Sequence, residues 1–255
     1  CDRLPASRYL RQIMVWGGEA QEALASSRVL VAGLGGLGSA ASFYLTAAGV
    51  GKLVLVDHDR VEKSDLNRQV LHWDRDVGRL KVESAAEKLR MLNPEVEVEP
   101  IAEKLSSVEQ TVRLVSGVDV VVDCLDNWPS RFLLNEACVR AAKPLVHAAV
   151  EGAAGWLTVV KPGEGPCLRC IFPRAPPEKS AIPVIGPLPG VLGAAEAFEA
   201  LKLLTGFGKP LLRRLLYLDL AEATVETFNL RKRLDCPVCS QQANPSSPAR
   251  SGSAQ

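Results

Sequence analysis

SSRVLVAGLGGLGSAASFYLTAAGVGKLVLVDHDRV, residues 26–61, holds two short apolar runs separated by a glycine turn and an alanine-rich segment. Short apolar runs bounded by glycine read as buried strands, and the longer segment between them has the length of a helix. Strand, helix and strand in that order make a parallel unit, because parallel neighbours need a crossover of this size. Gly33, Gly35 and Gly38 form GxGxxG at the strand-to-helix turn, with Gly36 as an extra glycine. Such a turn lets the backbone approach a phosphate, and the helix N-terminus supplies unpaired N–H groups and positive potential. Asp57 closes the second strand about 20 residues on, where a carboxylate accepts hydrogen bonds from ribose hydroxyls. The pattern predicts an adenine nucleotide site without saying which nucleotide; the alternative is a purely structural tight turn.

Outward from this unit, VDVVVDCLDN (118–127) reads as a later strand ending in acidic residues, and AAKPLVHAAV (141–150) and GWLTVVKPG (155–163) as two more. RLKVESAAEKLRMLN (79–93) and SRFLLNEACVRAA (130–142) carry helical spacing. The alternation predicts an α/β fold, a doubly wound, Rossmann-like and mostly parallel sheet. GVLGAAEAFEALKLLTG (190–206) reads as an amphipathic helix stopped by Gly206. LLYLDLAEATVETFNL (215–230) reads as an antiparallel hairpin added to the sheet. FPRAPPEKSAIPVIGPLPG (172–190) has proline too often for a helix or central strand and is expected to cross the surface as a loop. One domain is expected over residues 1–240, its C-terminal part pinned by a metal from about residue 163, with a polar, disordered tail over 241–255.

The 30 Lys and Arg nearly balance the 29 Asp and Glu, which argues against a broad basic face for nucleic acid or membrane. Apolar runs are short and interrupted, so no membrane span is expected, and the N-terminus lacks the apolar core of a signal peptide. Of seven cysteines, four form the pairs CLRC (Cys167, Cys170) and CPVC (Cys236, Cys239). CxxC twice over is the spacing of a structural Zn²⁺ site in a reducing compartment, which predicts a cytoplasmic protein; paired redox disulfides are the alternative. Cys124 and Cys138 fall among apolar neighbours and read as buried packing residues. His58, His72 and His147 are scattered without metal-ligand spacing, His58 being the one nearest the nucleotide; Trp73 and Trp128 read equally as cleft or core residues.

SDLNRQVLHWDRDVGRLK (64–81) raises a further point, because loop amides suffice for a pyrophosphate whereas a triphosphate needs side-chain cations and a divalent metal. Arg68 and Lys81 supply cations just beyond the ribose acid, and Asp126 ends a strand at the sheet edge where a carboxylate could hold Mg²⁺. Each alone also reads as a solvated charge; after a phosphate loop, together, they point to ATP.

With RYLRQ, GLGGLGSAAS, LVLVDHDRVEKSDLNRQ, VGRLKVESA, DCLDN, the two CxxC pairs and GPLPGVLGAAEAFEALK in this order, the chain resembles the ThiF/MoeB/HesA adenylyltransferases over about residues 8–240. These enzymes activate small ubiquitin-like sulfur-carrier proteins and are similar in their nucleotide domain to eukaryotic ubiquitin-activating enzymes. The resemblance implies an ATP- and Mg²⁺-dependent attack by the carrier's C-terminal Gly-Gly carboxylate on the α-phosphate, giving an acyl-adenylate and pyrophosphate. It implies that Asp57 holds the ribose, that Arg68, Gln69 and Lys81 contact phosphates, that Asp126 helps bind Mg²⁺, and that Asp59 and Asn127 join the nucleotide contacts. Arg11, in RYLRQ, matches an arginine that reaches across a homodimer to the partner's phosphates. Asp65 departs from the asparagine usual at that position and is expected either to ligate metal or to point away.

Many relatives also carry a cysteine between the CxxC and the GPLPG helix that bonds covalently to the carrier. This chain has none between Cys170 and Cys236, offering Lys179 and Ser180 instead. It is therefore expected to stop at the adenylate, with a separate protein as sulfur donor. Two other classes compete: a nicotinamide-dependent oxidoreductase, which explains only GxGxxG and Asp57, and a non-catalytic scaffold binding a ubiquitin-like partner.

Overall fold

The computed structural model describes residues 7–177 and 182–240; Cys1, Lys179, Ser180 and the 241–255 tail lie outside them. Among the described residues the strands are β1 (Arg28–Ala32), β2 (Lys52–Val56), β3 (Glu97–Ile101), β4 (Val120–Asp123), β5 (Leu145–Glu151), β6 (Ala154–Val160), β7 (Arg214–Asp219) and β8 (Thr224–Asn229). They form one sheet in the spatial order β3-β2-β1-β4-β5-β6-β7-β8. The first five in that order pair in parallel, and β6, β7 and β8 extend the sheet antiparallel. The expected α/β sheet with antiparallel C-terminal strands is thus the fold observed. Strand order reverses between β1 and β4, so the crevice at their carboxyl ends is where such a sheet takes its ligand.

The helices are α1 (Leu10–Trp16), α2 (Gly18–Ala25), α3 (Gly36–Ala48), α4 (Lys81–Leu92), α5 (Val108–Ser116), α6 (Trp128–Arg140), α7 (Leu168–Ile171) and α8 (Pro187–Thr205). Two cores flank the sheet, as the period-2 geometry of strands requires. In β1, Val29 and Val31 join the core under α3, α4 and α8, while Leu30 and Ala32 join the one under α5 and α6. Both faces being covered explains why β1, β2 and β4 read as continuous apolar runs rather than as alternating ones.

The proline-rich stretch ends earlier than its composition predicts. Residues 172–177 and 182–186 are irregular, with Val184 bridging to Gly152, but α8 begins at Pro187 and includes Pro189 and Gly190. First-turn N–H groups have no intrahelical acceptor, so prolines there remove no helical hydrogen bond. At the other end Gly206 adopts the left-handed conformation (φ 71°) that stops the helix where expected. The strand β3, with Pro100 in it, sits at the sheet edge, where proline is tolerated.

Candidate active site

The glycine loop is built by close backbone approach. Gly33 has φ +90°, and a Cβ there would lie 2.6 Å from the Cys124 carbonyl oxygen. A Cβ on Gly38 would lie 1.9 Å from the Gly33 carbonyl oxygen, so Gly38 packs helix against turn and does not itself line the cleft. Asp57 fixes the loop from the side: its Oδ2 accepts from Leu34 N–H (2.7 Å) and its Oδ1 from Asp59 N–H (2.8 Å). Burial pushes the Asp57 carboxyl upward, and these two donors oppose that shift. His72, which the sequence offered only as an ordinary histidine, holds the same loop. Its Nε2 lies 3.0 Å from the Leu34 carbonyl, an acceptor, so Nε2 carries the hydrogen and Nδ1 takes the Ser84 hydroxyl (2.9 Å).

A cleft of about 360 Å³ opens at the switch point. Gly33, Gly35, Gly36, Asp57 and Asp59 line it from the first strand-helix-strand unit. Arg68, Gln69 and Lys81 line it from the segment after β2, and Asp126 and Asn127 from the turn after β4. His58 is there too, as are Glu103, Lys104 and Leu105, which the sequence did not single out. The loop bearing them is clamped by Gln110, which donates to Glu103 (2.9 Å) and the Lys104 carbonyl (3.1 Å) and accepts from Ser106.

Asp65 lies beneath the cations, and both of its oxygens are taken. Oδ1 accepts from Gln69 Nε2 (2.8 Å) and Arg68 Nη2 (3.3 Å); Oδ2 accepts from Glu62 N–H (3.0 Å) and lies 3.6 Å from Lys81 Nζ. Both oxygens face these protein donors and Asp65 does not line the cleft, the arrangement expected of a carboxylate that points away. Lys81 stands between this group and Asp59, also at 3.6 Å. Arg68 is steadied further by the Ser64 carbonyl and the Asn67 side chain.

The turn carrying Asp126 is fixed from below by buried groups. Asp123 accepts from Leu125 N–H through Oδ1 and pairs with His147 Nδ1 through Oδ2 at 2.7 Å. Arg131 donates to the Leu125 carbonyl, and Asn127 caps α6 by accepting from Ser130 N–H (3.0 Å). Asp126 itself is exposed on the cleft, with Asn127 donating to its Oδ1. Trp128 packs against Phe172 and Phe132 rather than lining the cleft, and Trp73 lies half-exposed beside Arg75 and Lys88.

On the α5–α6 side, Cys167, Cys170, Cys236 and Cys239 are all buried, with their sulfurs within 4.8 Å of one another. Four converging thiolates fit a closed tetrahedral Zn²⁺ site with no position left for water. The cluster brings the start of α7 together with the C-terminal segment. Cys124 and Cys138 are buried, and burial pushes both thiols up. Arg11 is exposed on α1, away from its own chain's cleft.

A model of the ThiF family matches residues 9–238. The chain is 47% identical over 247 residues to the SAMP-activating enzyme E1 of Haloferax volcanii, covering 94% of this chain and 91% of that protein. It is 45% identical over 243 residues to the adenylyltransferase and sulfurtransferase MOCS3 of Mus musculus, covering 92% of this chain and 53% of the relative. Among solved structures, E. coli MccB with ATP superposes with a TM-score of 0.80 at 26% identity, over 92% of this chain and 74% of that one. No helix among the described residues is long and apolar enough to cross a membrane.

Proposed function

The chain belongs to the ThiF family, and on that premise we propose that its cleft binds ATP and adenylylates the C-terminal glycine carboxylate of a small ubiquitin-like sulfur-carrier protein. One observation carries this reading: the glycine loop, the ribose acid, two cations and the strand-end carboxylate line one cleft at the switch point. A carboxylate oxygen of the carrier bonds to the α-phosphorus, the bond to the bridging oxygen breaks, and pyrophosphate leaves with the electron pair. Asp57 accepts from the ribose hydroxyls. Arg68 and Lys81 meet charge on the phosphates, most of all as it builds on the leaving group. Two features fit the nucleotide: the cleft side of Gly35, where a Cβ would meet only Gln69 Nε2 at 3.7 Å, and Gln69 Oε1, buried without a donor. Asp126, beside Asn127, would hold Mg²⁺, which supplies Lewis-acid neutralisation of phosphate oxygens when bound.

The reaction ends at the adenylate, and sulfur comes from a separate protein. No cysteine stands between Cys170 and Cys236, and Cys124 and Cys138 are buried with their thiols held protonated. The metal-type cysteine spacing favours a reducing compartment, the cytoplasm. The working unit is a homodimer: Arg11 has no place at its own cleft, and Phe43, Tyr44, Val70, Trp73, Met91 and Val191 leave an apolar face exposed. Sedimentation with and without ATP tests this; a monomer under both conditions contradicts it.

Mass spectrometry of a Gly-Gly carrier incubated with the protein, ATP and Mg²⁺ tests the chemistry. The expected product is carrier plus AMP, unchanged by thiol reductant. A reductant-sensitive conjugate through a cysteine overturns the adenylate-only reading, and oxidation of a nicotinamide with no adenylate overturns the reading entirely.

A further inference from the structure

Asp65 is only 6% exposed and lies outside the cleft, yet three of its four donors are the side chains that line it. Gln69 and Arg68 share Oδ1, and Lys81 approaches Oδ2 beside the Glu62 N–H. We infer that Asp65 is a positioning residue that assembles Arg68, Gln69 and Lys81 for the phosphates before nucleotide arrives. The inference rests on the adenylation reading and goes beyond it in assigning the buried carboxylate.

Three physical arguments support it. Arginine, lysine and glutamine have the most rotamers to lose, and a fold that has already ordered them spares the ligand that cost. The carboxylate also keeps two cations side by side in the empty site, where they would otherwise repel. Finally, a carboxylate accepts on both oxygens, so Asp65 holds Gln69 and Arg68 on one side and faces Lys81 beside the Glu62 N–H on the other. Independently, Gln69 Nε2 gives one hydrogen to Asp65 Oδ1, which orients the amide and leaves its second hydrogen for a phosphate oxygen.

The test is Asp65→Ala, which removes both acceptors, with ATP binding read by calorimetry and adenosine binding by saturation-transfer NMR. ATP affinity is expected to fall on the order of 10-fold, as when supporting shells of other sites are altered, while adenosine binding, held through Asp57, stays unchanged. In an Arg68→Ala background the same substitution is expected to cost less, because one of the groups it positions is gone. Equal ATP affinity in the variant, or equal loss for both ligands, overturns the inference. If the variant does not fold, the wild-type chain still decides. Without nucleotide, the Gln69 side-chain amide is expected to exchange slowly and show one rotamer; a rapidly averaging amide overturns the inference. A wild-type protein that binds adenosine but not ATP would instead defeat the adenylation reading.

Discussion

His147 and Asp123, 24 residues apart in sequence, meet through Nδ1 and Oδ2 at 2.7 Å with both side chains fully buried. Trp156 Nε1 donates to His147 Nε2 (3.3 Å), which makes Nε2 an acceptor and leaves the hydrogen on Nδ1, facing Asp123. The histidine is therefore neutral, consistent with burial lowering its pKa. Asp123→Ala would strand that N–H and the Leu125 N–H together, beneath the turn that carries Asp126. The expected loss is about 2–4 kcal/mol of stability, since buried donors would be left unpaired. Urea denaturation of the purified variant measures it; an unchanged midpoint would contradict the role assigned to the pair.

A second buried acid gives a pH signature. Glu196, on α8, has Oε2 3.4 Å from Cys124 Sγ and Oε1 without a partner. Burial, then the neighbouring Asp123, raises its carboxyl well above the ordinary 4.5. The folded chain thus keeps a proton that the unfolded chain releases above that pH. Its contribution to stability is fully present below the unfolded pKa and is lost as pH rises toward the folded pKa. Glu196→Gln cannot ionise, so its stability relative to wild type should rise by about 1.4 kcal/mol per pH unit over that window. Denaturation at pH 5, 6 and 7 should show a widening gap; a gap constant across pH would refute this account of Glu196.

Glycine geometry predicts a sharper failure. Gly38→Ala would place a methyl 1.9 Å from the Gly33 carbonyl oxygen, and backbone rather than a flexible side chain would have to yield. Since overpacking commonly costs about 1–3 kcal/mol, the variant should melt lower and lose ATP affinity together. Thermal melts paired with ATP titration read both quantities, and normal ATP affinity would show that the loop tolerates the shift.

Removal of metal should separate fold from chemistry. The intact chain is expected to carry one equivalent of zinc by elemental analysis, and Cys236→Ser to carry far less and to unfold at lower temperature. The cysteine cluster lies on the α5–α6 face, apart from the cleft, so any protein that stays folded should still bind ATP. Full zinc retention in the variant would contradict the four-thiolate site.

What the sequence discloses and what it hides divide along a physical line. GxGxxG, Asp57 and the CxxC pairs are local patterns whose spacing carries their meaning, and their surroundings in the fold match it. Arg68, Lys81 and Asp126 were legible as types, but only the fold brings them to one cleft. Asp65 stayed ambiguous because its role depends on four donors, one of them, on Lys81, 16 positions away. Glu196 and Cys124 are 72 residues apart, and Gln110 acts on a loop that no motif marks. The strand β3 was missed because its charged, proline-bearing edge resembles a loop, and the start of α8 because its prolines occupy the one turn that tolerates them.

Exchange of labelled pyrophosphate into ATP, in the presence of a Gly-Gly carrier, addresses the central claim most directly. The wild-type chain should catalyse it only with carrier present. Arg68→Ala and Asp126→Ala, folded and zinc-loaded, should each slow it about 30-fold or more, the cost of losing one transition-state contact worth about 2–4 kcal/mol. Exchange at the wild-type rate in both variants, or none in the wild type with a carrier it binds, would contradict the claim that this cleft activates a protein's terminal carboxylate with ATP.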